Sequence, residues 1–592
     1  MITIKIDNIP VEIPEGTTIL QAAKKVGIDI PTLCYHDDLC IAGNCRVCVV
    51  EIKGRPRLEA SCATPVEDGM EIFTHSAKAR NARKTIVELL LSEHQEECTK
   101  CFKNGNCELQ DLAAEYFNEE YEYLDLVEDK NYTIDKSSLS LQYDPSKCVR
   151  CQRCVRTCAE IQGVNAISLA YKGRDAMIST FMEKNFAEVV CTNCGQCVIH
   201  CPTGALTERK YFDQIWQAIE DPDKFVIVNT APSVRVALGE PFGLEPGTIV
   251  TGQMAAALRR LGFDAVLDTD FAADLTIIEE ASELLMRLKK ALVDKQNVAL
   301  PMITSCSPGW VKFIEHMYPH LLDHLSTCKS PQQMFGAIAK TYYAQKRGID
   351  PEKIVTVAIM PCTAKKFEAN RPEMKASGYQ DVDAGLTTRE LAVMIKQAGI
   401  DFTKLPEEDF DSYMGVSSGA GDIFAATGGV MEAALRTAYY YITGRNVPFE
   451  RLNITPVRGL KGVKEATIKI EGTKPEFSFL EGVELRVAVA HGLTNARKVM
   501  DQIDRGESPY HFIEIMACPG GCIGGGGQPI PTNDKIRQKR IEAIYREDEN
   551  KPIRQSHENP EIAQLYEKFL EKPLGKKSHK LLHTHYTQRN RY

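Results

Sequence analysis

Apolar and polar residues alternate at the start of the chain. ITIKI and VEIPE each place every second residue on one face, and the short link at Asn8 suits a hairpin. TTILQAAKKVG follows with a Thr start, helical spacing and a Gly stop. Residues 79–118 read as mostly helical, and EYFNEEYEYLDLVEDK (115–130) reads as a solvated acidic linker. From about residue 222 the pattern changes. Short β-branched apolar runs recur between helical stretches: FVIVNTA, FDAVLDTD, ALPMITSC, IVTVAIMPC, LRVAVAHG and HFIEIMAC. This is the pattern of buried parallel strands in α/β layers, where ligands bind beyond the carboxyl ends of strands. After Pro531 the chain turns charged and helical, with SHENPEIAQLYEKFLEKP (556–573) expected as one amphipathic helix.

A chain of 592 residues suggests about four domains, and 43% apolar content suffices for cores. The net charge of −9 argues against a nucleic-acid role, which favours a basic face. No secretory signal or 18-residue uncharged apolar span is visible, so a cytoplasmic location is expected. The 21 cysteines change the picture most. Disulfides are unlikely in such a chain, whereas clustered, regularly spaced thiols point to metal ligation.

Cys34, Cys45, Cys48 and Cys62 have the spacing C-x10-C-x2-C-x13-C, which suits a [2Fe–2S] cluster. Together with the strands before it, this segment resembles the plant-type ferredoxin-like domain at the start of complex I's large iron–sulfur subunit and of iron hydrogenases. Cys40 reads as a spare thiol. His94, Cys98, Cys101 and Cys107 form a set of one imidazole and three thiols that could also bind zinc. Placed directly after a [2Fe–2S] domain, it resembles the His-ligated [4Fe–4S] module of the same two families. Two C-x2-C-x2-C-x3-C runs then signal two [4Fe–4S] clusters: Cys148, Cys151, Cys154, Cys158 and Cys191, Cys194, Cys197, Cys201. The fourth cysteine of each run ligates the other cluster. Four such centres make a wire that needs a chemical terminus.

Cys306, Cys362 and Cys518 each end a strand-like run, as if delivered to one edge of a sheet, and Cys522 follows closely. TSCSPGW (304–310), MPCTAKKFE (360–368) and EIMACPGGCIGGGGQP (514–529) resemble the three signatures of [FeFe]-hydrogenases. The resemblance covers essentially the whole chain and implies an H-cluster: a [4Fe–4S] cubane bridged by one cysteine sulfur to a two-iron unit with CO, CN⁻ and azadithiolate ligands. It implies that Cys362, Cys518 and Cys522 hold the cubane and that Cys522 also bridges to the two irons. The family usually has TSCCPGW, where one cysteine is a cubane ligand and the other passes protons; here the pair is Cys306 and Ser307. Cys306 is taken as the ligand, with Ser307 near the relay. A residue-for-residue match gives the reverse, with Cys306 as relay and an oxygen ligand.

By the same resemblance, Lys365 holds a cyanide ligand, and Ala231, Pro232, Gln332, Met360, Phe424 and Met516 line the two-iron pocket. Protons pass by way of Glu280, Ser326 and Glu283, with Arg287 at the outer end. Cys328 reads as a spare buried thiol, and His579, His583 and His585 as a surface tail. The region after Pro531 resembles a hydrogenase small subunit fused in place.

The expected fold is multidomain α/β. It has a β-grasp [2Fe–2S] domain (1–78), a small [4Fe–4S] domain with one histidine and three cysteine ligands (79–118) and a 2[4Fe–4S] ferredoxin domain (140–210). A parallel-sheet catalytic domain (222–531) and a helical extension (532–592) complete it. The expected activity is H2 ⇌ 2H⁺ + 2e⁻, with one [2Fe–2S] and three accessory [4Fe–4S] clusters beside the H-cluster. A low-turnover H2 sensor or a non-catalytic hydrogenase-like iron–sulfur protein are the rival readings. With no GxGxxG fingerprint in a strand–turn–helix setting, NAD(P) cannot react here directly. The expected electron partner is a diaphorase-type flavoprotein, a formate dehydrogenase subunit or ferredoxin, within a hetero-oligomer.

Overall fold

The computed structural model describes residues 1–117 and 132–591. Most of the expected acidic linker, 118–130, lies outside the described residues. The chain divides into two compact units: 1–160 with 165–189 and 200–207, and 161–164 with 190–199 and 208–592.

In the first unit the opening alternation forms a five-stranded sheet. Its order is Ile9–Ile13, Ile2–Ile6, Glu71–Phe73, Val49–Ile52, Glu59–Ala60. Ile4, Ile6, Val11 and Ile13 face inward and pack with Ile19, Leu20, Ala22 and Ala23 of the helix Ile19–Lys25. Thr18 starts that helix with a reciprocal capping box to Gln21. Helices Ala77–Leu91 and Glu108–Tyr116 flank the segment that carries His94 to Cys107.

The second unit has two four-stranded sheets. One is parallel throughout, in the order Ala265–Asp268, Phe225–Thr230, Ile354–Met360, Ala384–Thr387. The other runs Met302–Ile303, Phe512–Met516, Glu484–His491, Val463–Lys469, with only the last strand antiparallel. All six expected strands are present. The expectation of one sheet edge is corrected: Cys306 and Cys518 follow neighbouring strands of the second sheet, whereas Cys362 follows a strand of the first. Ala384–Thr387 and Val463–Lys469 were not foreseen. The latter buries only alternate residues along an edge, so it lacks the continuous apolar run of a central strand.

Between the sheets' helices runs Thr269–Leu292, 24 residues long and buried along most of its length. Asp268 caps its start by accepting the Asp270 N–H. The expected helix 556–573 is shorter. A turn at Ser556–Glu558 precedes Pro560–Leu565, which continues as a wider turn over Tyr566–Leu570. Pro560, at the first helical position, sets that start.

Candidate active site

The strand ends bring three thiols together in the second unit. Cys518 is buried, and Cys362 and Cys522 are half-buried. Burial, then the charge of Cys362, pushes the Cys518 thiol well above its ordinary value, and Cys194 and Cys522 add to the push. Burial and Cys362 likewise raise Cys522 to about 12. As free thiols these groups are inert. As ligands they would need a cationic partner to hold the thiolate charge, which is what a cluster of ferric and ferrous iron supplies.

The backbone around them is closed by glycines. A Cβ on Gly526 would meet the Cys194 carbonyl at 2.2 Å, and one on Gly525 would meet the Pro361 carbonyl at 2.3 Å. The loop 518–527 therefore lies directly on the loops that carry Cys194 and Cys362, an approach no side chain would permit. Further bonds fix the same contact. Thr363 Oγ1 donates to Asn193 O at 2.7 Å, and Gln196 Nε2 donates to Gly524 O at 2.9 Å. His491, at the end of the neighbouring strand, accepts the Gly520 N–H at 3.1 Å through Nδ1. Burial, then Lys464, lowers the His491 pKa to about 4, so the ring is neutral and free to accept.

Cys306 and Ser307 face different surroundings. The Cys306 thiol is pushed up by burial, then by the charge of Glu280, with Cys522 and Lys365 also acting on it. The Ser307 hydroxyl accepts the N–H of Ala517, next to Cys518, at 3.2 Å. Ser307 is extended (φ −99°, ψ 100°). Lys365 Nζ donates to Cys306 O at 3.1 Å and to Glu368 Oε2 at 2.8 Å, which leaves one of its three N–H groups.

The expected lining residues are all buried: Ala231, Pro232, Gln332, Met360, Phe424 and Met516. Gln332 Nε2 donates to Lys365 O and Glu368 Oε2, while its Oε1 has no partner.

Glu280 and Glu283 lie one turn apart on the long helix. Neither carboxylate oxygen of Glu280 has a partner in hydrogen-bond geometry. Burial, then Glu283, pushes its pKa up to about 8, with Ser326 drawing it partly back. Glu283 is fully engaged. It accepts from Ser326 Oγ at 3.0 Å, from the Thr327 N–H and hydroxyl, and from Arg287. Arg287 also donates to the carbonyls of Ala299, Asp323 and Leu325.

A profile for the iron-only hydrogenase large subunit, C-terminal domain, matches residues 224–526, just over half of the chain. The chain belongs to the iron-only hydrogenases. Like the hydrogenases it resembles, it oxidises H2 and reduces protons, and its iron–sulfur domains carry the electrons. The NADP-reducing hydrogenase subunit HndD of Solidesulfovibrio fructosivorans is 54% identical over the full length of both chains. Iron hydrogenase 1 of Clostridium pasteurianum is 42% identical over 99% of this chain and all of its own. An [FeFe]-hydrogenase structure from Chlamydomonas reinhardtii covers 64% of this chain and 99% of its own, at 46% identity and a TM-score of 0.58. Four more profiles match this hydrogenase. They are a 2Fe-2S binding domain (1–77), a NADH-ubiquinone oxidoreductase-G iron–sulfur region (83–120), a NADH-quinone oxidoreductase subunit 3 ferredoxin-like domain (140–207) and an iron hydrogenase small subunit (534–589).

The hydrogenase's first unit holds the other cysteines of the accessory sets except Cys191, Cys194 and Cys197, which belong to the second. Cys48 Sγ and Cys62 Sγ lie 3.4 Å apart, and Cys62 is pushed far up by Cys34 and Cys48. His94 Nδ1 is buried without a partner, and burial, then Lys147, lowers its pKa to about 4. A neutral imidazole with a free buried nitrogen is ready to bind metal. A Cβ on Gly204 would lie 2.5 Å from Cys101 Sγ, so glycine makes room for that thiol. Burial and Cys201 act together on Cys148 and Cys151.

Several site residues escaped sequence reasoning. His583, expected on a surface tail, is buried: Nδ1 lies 2.8 Å from Thr327 Oγ1 and Nε2 3.1 Å from Glu279 Oε2. Tyr586 donates to Ser326 O at 2.7 Å. Nothing local marks either residue, because their partners lie more than 250 positions away. Glu514 carried a signal, a carboxylate inside the apolar run HFIEIM. It accepts the N–H groups of Gly428 and Met431 at 2.6 and 2.7 Å.

Proposed function

We propose that Cys362, Cys518 and Cys522 hold the cubane of an H-cluster, and that Cys522 also bridges to its two-iron unit. The supporting observation is the convergence of three thiols from two sheets under a glycine loop, with a proton-bearing carboxyl and an ammonium beside them. The bound group would supply the reversible splitting of H2. The residues of this chain do the rest. Lys365 has one free N–H for an anionic ligand, a charge-assisted bond. Met360, Phe424 and Met516 exclude water. The Cys306 thiol, on the Glu280 side, is the inner proton carrier, which revises the expectation of Cys306 as ligand. Glu280, protonated at neutral pH, takes protons onward to Ser326, and Glu283 passes them toward Arg287. A relay group serves only within hydrogen-bond reach, directly or through one water; the Ser326–Glu283 step satisfies this directly.

Electrons leave through the Cys191–Cys197 loop that the glycine loop touches, then through the accessory centres. The proposed set is one [2Fe–2S] in the β-grasp segment 1–78, a His94-ligated [4Fe–4S] within 79–118 and two [4Fe–4S] clusters within 140–210. The catalytic segment is 222–531, with 532–592 as extension. The likeness to an NADP-reducing hydrogenase subunit supports a partner subunit, here taken as a flavoprotein of the diaphorase type, with NADP as final acceptor, in a cytoplasmic hetero-oligomer. Among the described residues no helix is long and apolar enough to cross a membrane.

Replacing Cys522 with Ser in the matured protein tests the site. Infrared bands of iron-bound CO and CN⁻ should be lost or displaced, and H2-dependent reduction of methyl viologen should fall by at least about 100-fold. Unchanged bands and turnover would refute the assignment. Co-purification of the native complex identifies the electron partner.

A further inference from the structure

Three thiolates leave one iron of a four-iron cubane without a protein donor. Cys306 and Ser307 are the two neighbouring candidates for that corner, and Ser307 is extended (φ −99°, ψ 100°). The Cys306 carbonyl is held by Lys365 Nζ at 3.1 Å, and its thiol feels the charges of Glu280, Cys522 and Lys365. The Ser307 hydroxyl accepts the Ala517 N–H, one residue before Cys518, at 3.2 Å. Ser307 also sits at the N-cap of the ten-residue helix Pro308–Met317 but makes no side-chain cap bond. A serine at this position ordinarily spends its oxygen on the helix's own N–H groups. Here the oxygen is turned to the cysteine loop. The helix start behind it favours negative charge, and the Ala517 N–H is a donor suited to an oxyanion.

Resting on the H-cluster reading above, we infer that the Ser307 oxygen, and not the Cys306 sulfur, completes the cubane's donor set beside Cys362, Cys518 and Cys522. Ligation forms one Fe–O bond in place of a bound water. The hydroxyl proton leaves to solvent and no electron moves. An oxygen donor is harder than a thiolate and stabilises the ferric state. The cubane in this chain is therefore harder to reduce than one held by four thiolates.

The test uses the matured holoprotein and the variants S307C, S307A and C306A. Electron paramagnetic resonance reads the cubane, infrared spectroelectrochemistry of the CO and CN⁻ bands reads its midpoint potential, and iron analysis after chelator challenge reads its retention. S307C should raise the midpoint potential and change the cubane's g-values, and S307A should lose iron to the chelator. C306A should keep iron, g-values and potential while turnover falls at least about 100-fold. Unchanged spectra and potential in both Ser307 variants would overturn the inference, as would loss of cubane iron in C306A. Absence of CO and CN⁻ bands from the wild-type protein would instead remove the H-cluster reading itself.

Discussion

Glu280 is a carboxyl group whose oxygens find no partner in hydrogen-bond geometry, and burial and Glu283 push its pKa up to about 8. Its unfolded value is about 4.3. Below that value both states hold the proton. Between about 4.3 and 8 the unfolded chain gains by ionising while the folded one does not, so this group makes the fold less stable as pH rises through that window. Glutamine cannot ionise, so E280Q should flatten the fall of Tm between about pH 5 and 8, measured by calorimetry. The same variant should lose roughly 10²-fold or more in H2 evolution at every pH. Wild-type evolution should decline above about pH 8, where the carrier gives up its proton. At this scale the thiols stand out by their spacing, whereas Lys365 and the two glutamates were marked only through the family resemblance, since helical spacing alone reads the glutamates as a solvated face. The contact of the Ser307 hydroxyl with the Ala517 N–H was not legible, since it joins positions 210 residues apart.

The loops at the strand ends act as one element because glycine lets them touch. Gly526→Ala would drive a Cβ toward the Cys194 carbonyl, now 2.2 Å from that position. Such overpacking costs about 1–3 kcal/mol. Tm should fall accordingly, and methyl-viologen turnover should drop while the CO and CN⁻ bands persist, since the ligands themselves are unaltered. Wild-type electron delivery in this variant would count against a functional contact between the two loops. The strands that lead to the cysteines were legible as β-branched runs. Their division between two sheets was not. A strand's neighbours are chosen by packing and crossover, and Ile354–Met360 and Phe512–Met516 carry no mark of belonging to different sheets.

The C-terminal extension is woven into the catalytic unit as a whole. Arg589 pairs with Glu315 at 2.6 Å, and Arg371 holds the same carboxylate from another side. Against the push of burial, His583 and Tyr566 keep the Glu279 carboxyl below its ordinary value. Breaking such a buried pair costs about 3–5 kcal/mol. H583A should therefore lower Tm by several degrees, and truncation after Pro573 by more; thermal melts that match wild type would show the extension to be dispensable for stability. The composition of this region announced a charged helical appendage. Its buried histidine was invisible because a single imidazole, with no nearby cysteine or carboxylate, looks the same on a tail as in a core. The interlocked glycines carry one more consequence at this scale. Electron tunnelling falls off exponentially with distance, so the gap between the Cys191–Cys197 loop and the cubane loop behaves as a gauge whose setting is the missing Cβ atoms of Gly195 and Gly526. Substitution there would change how far charge must jump while leaving every redox-active atom chemically the same.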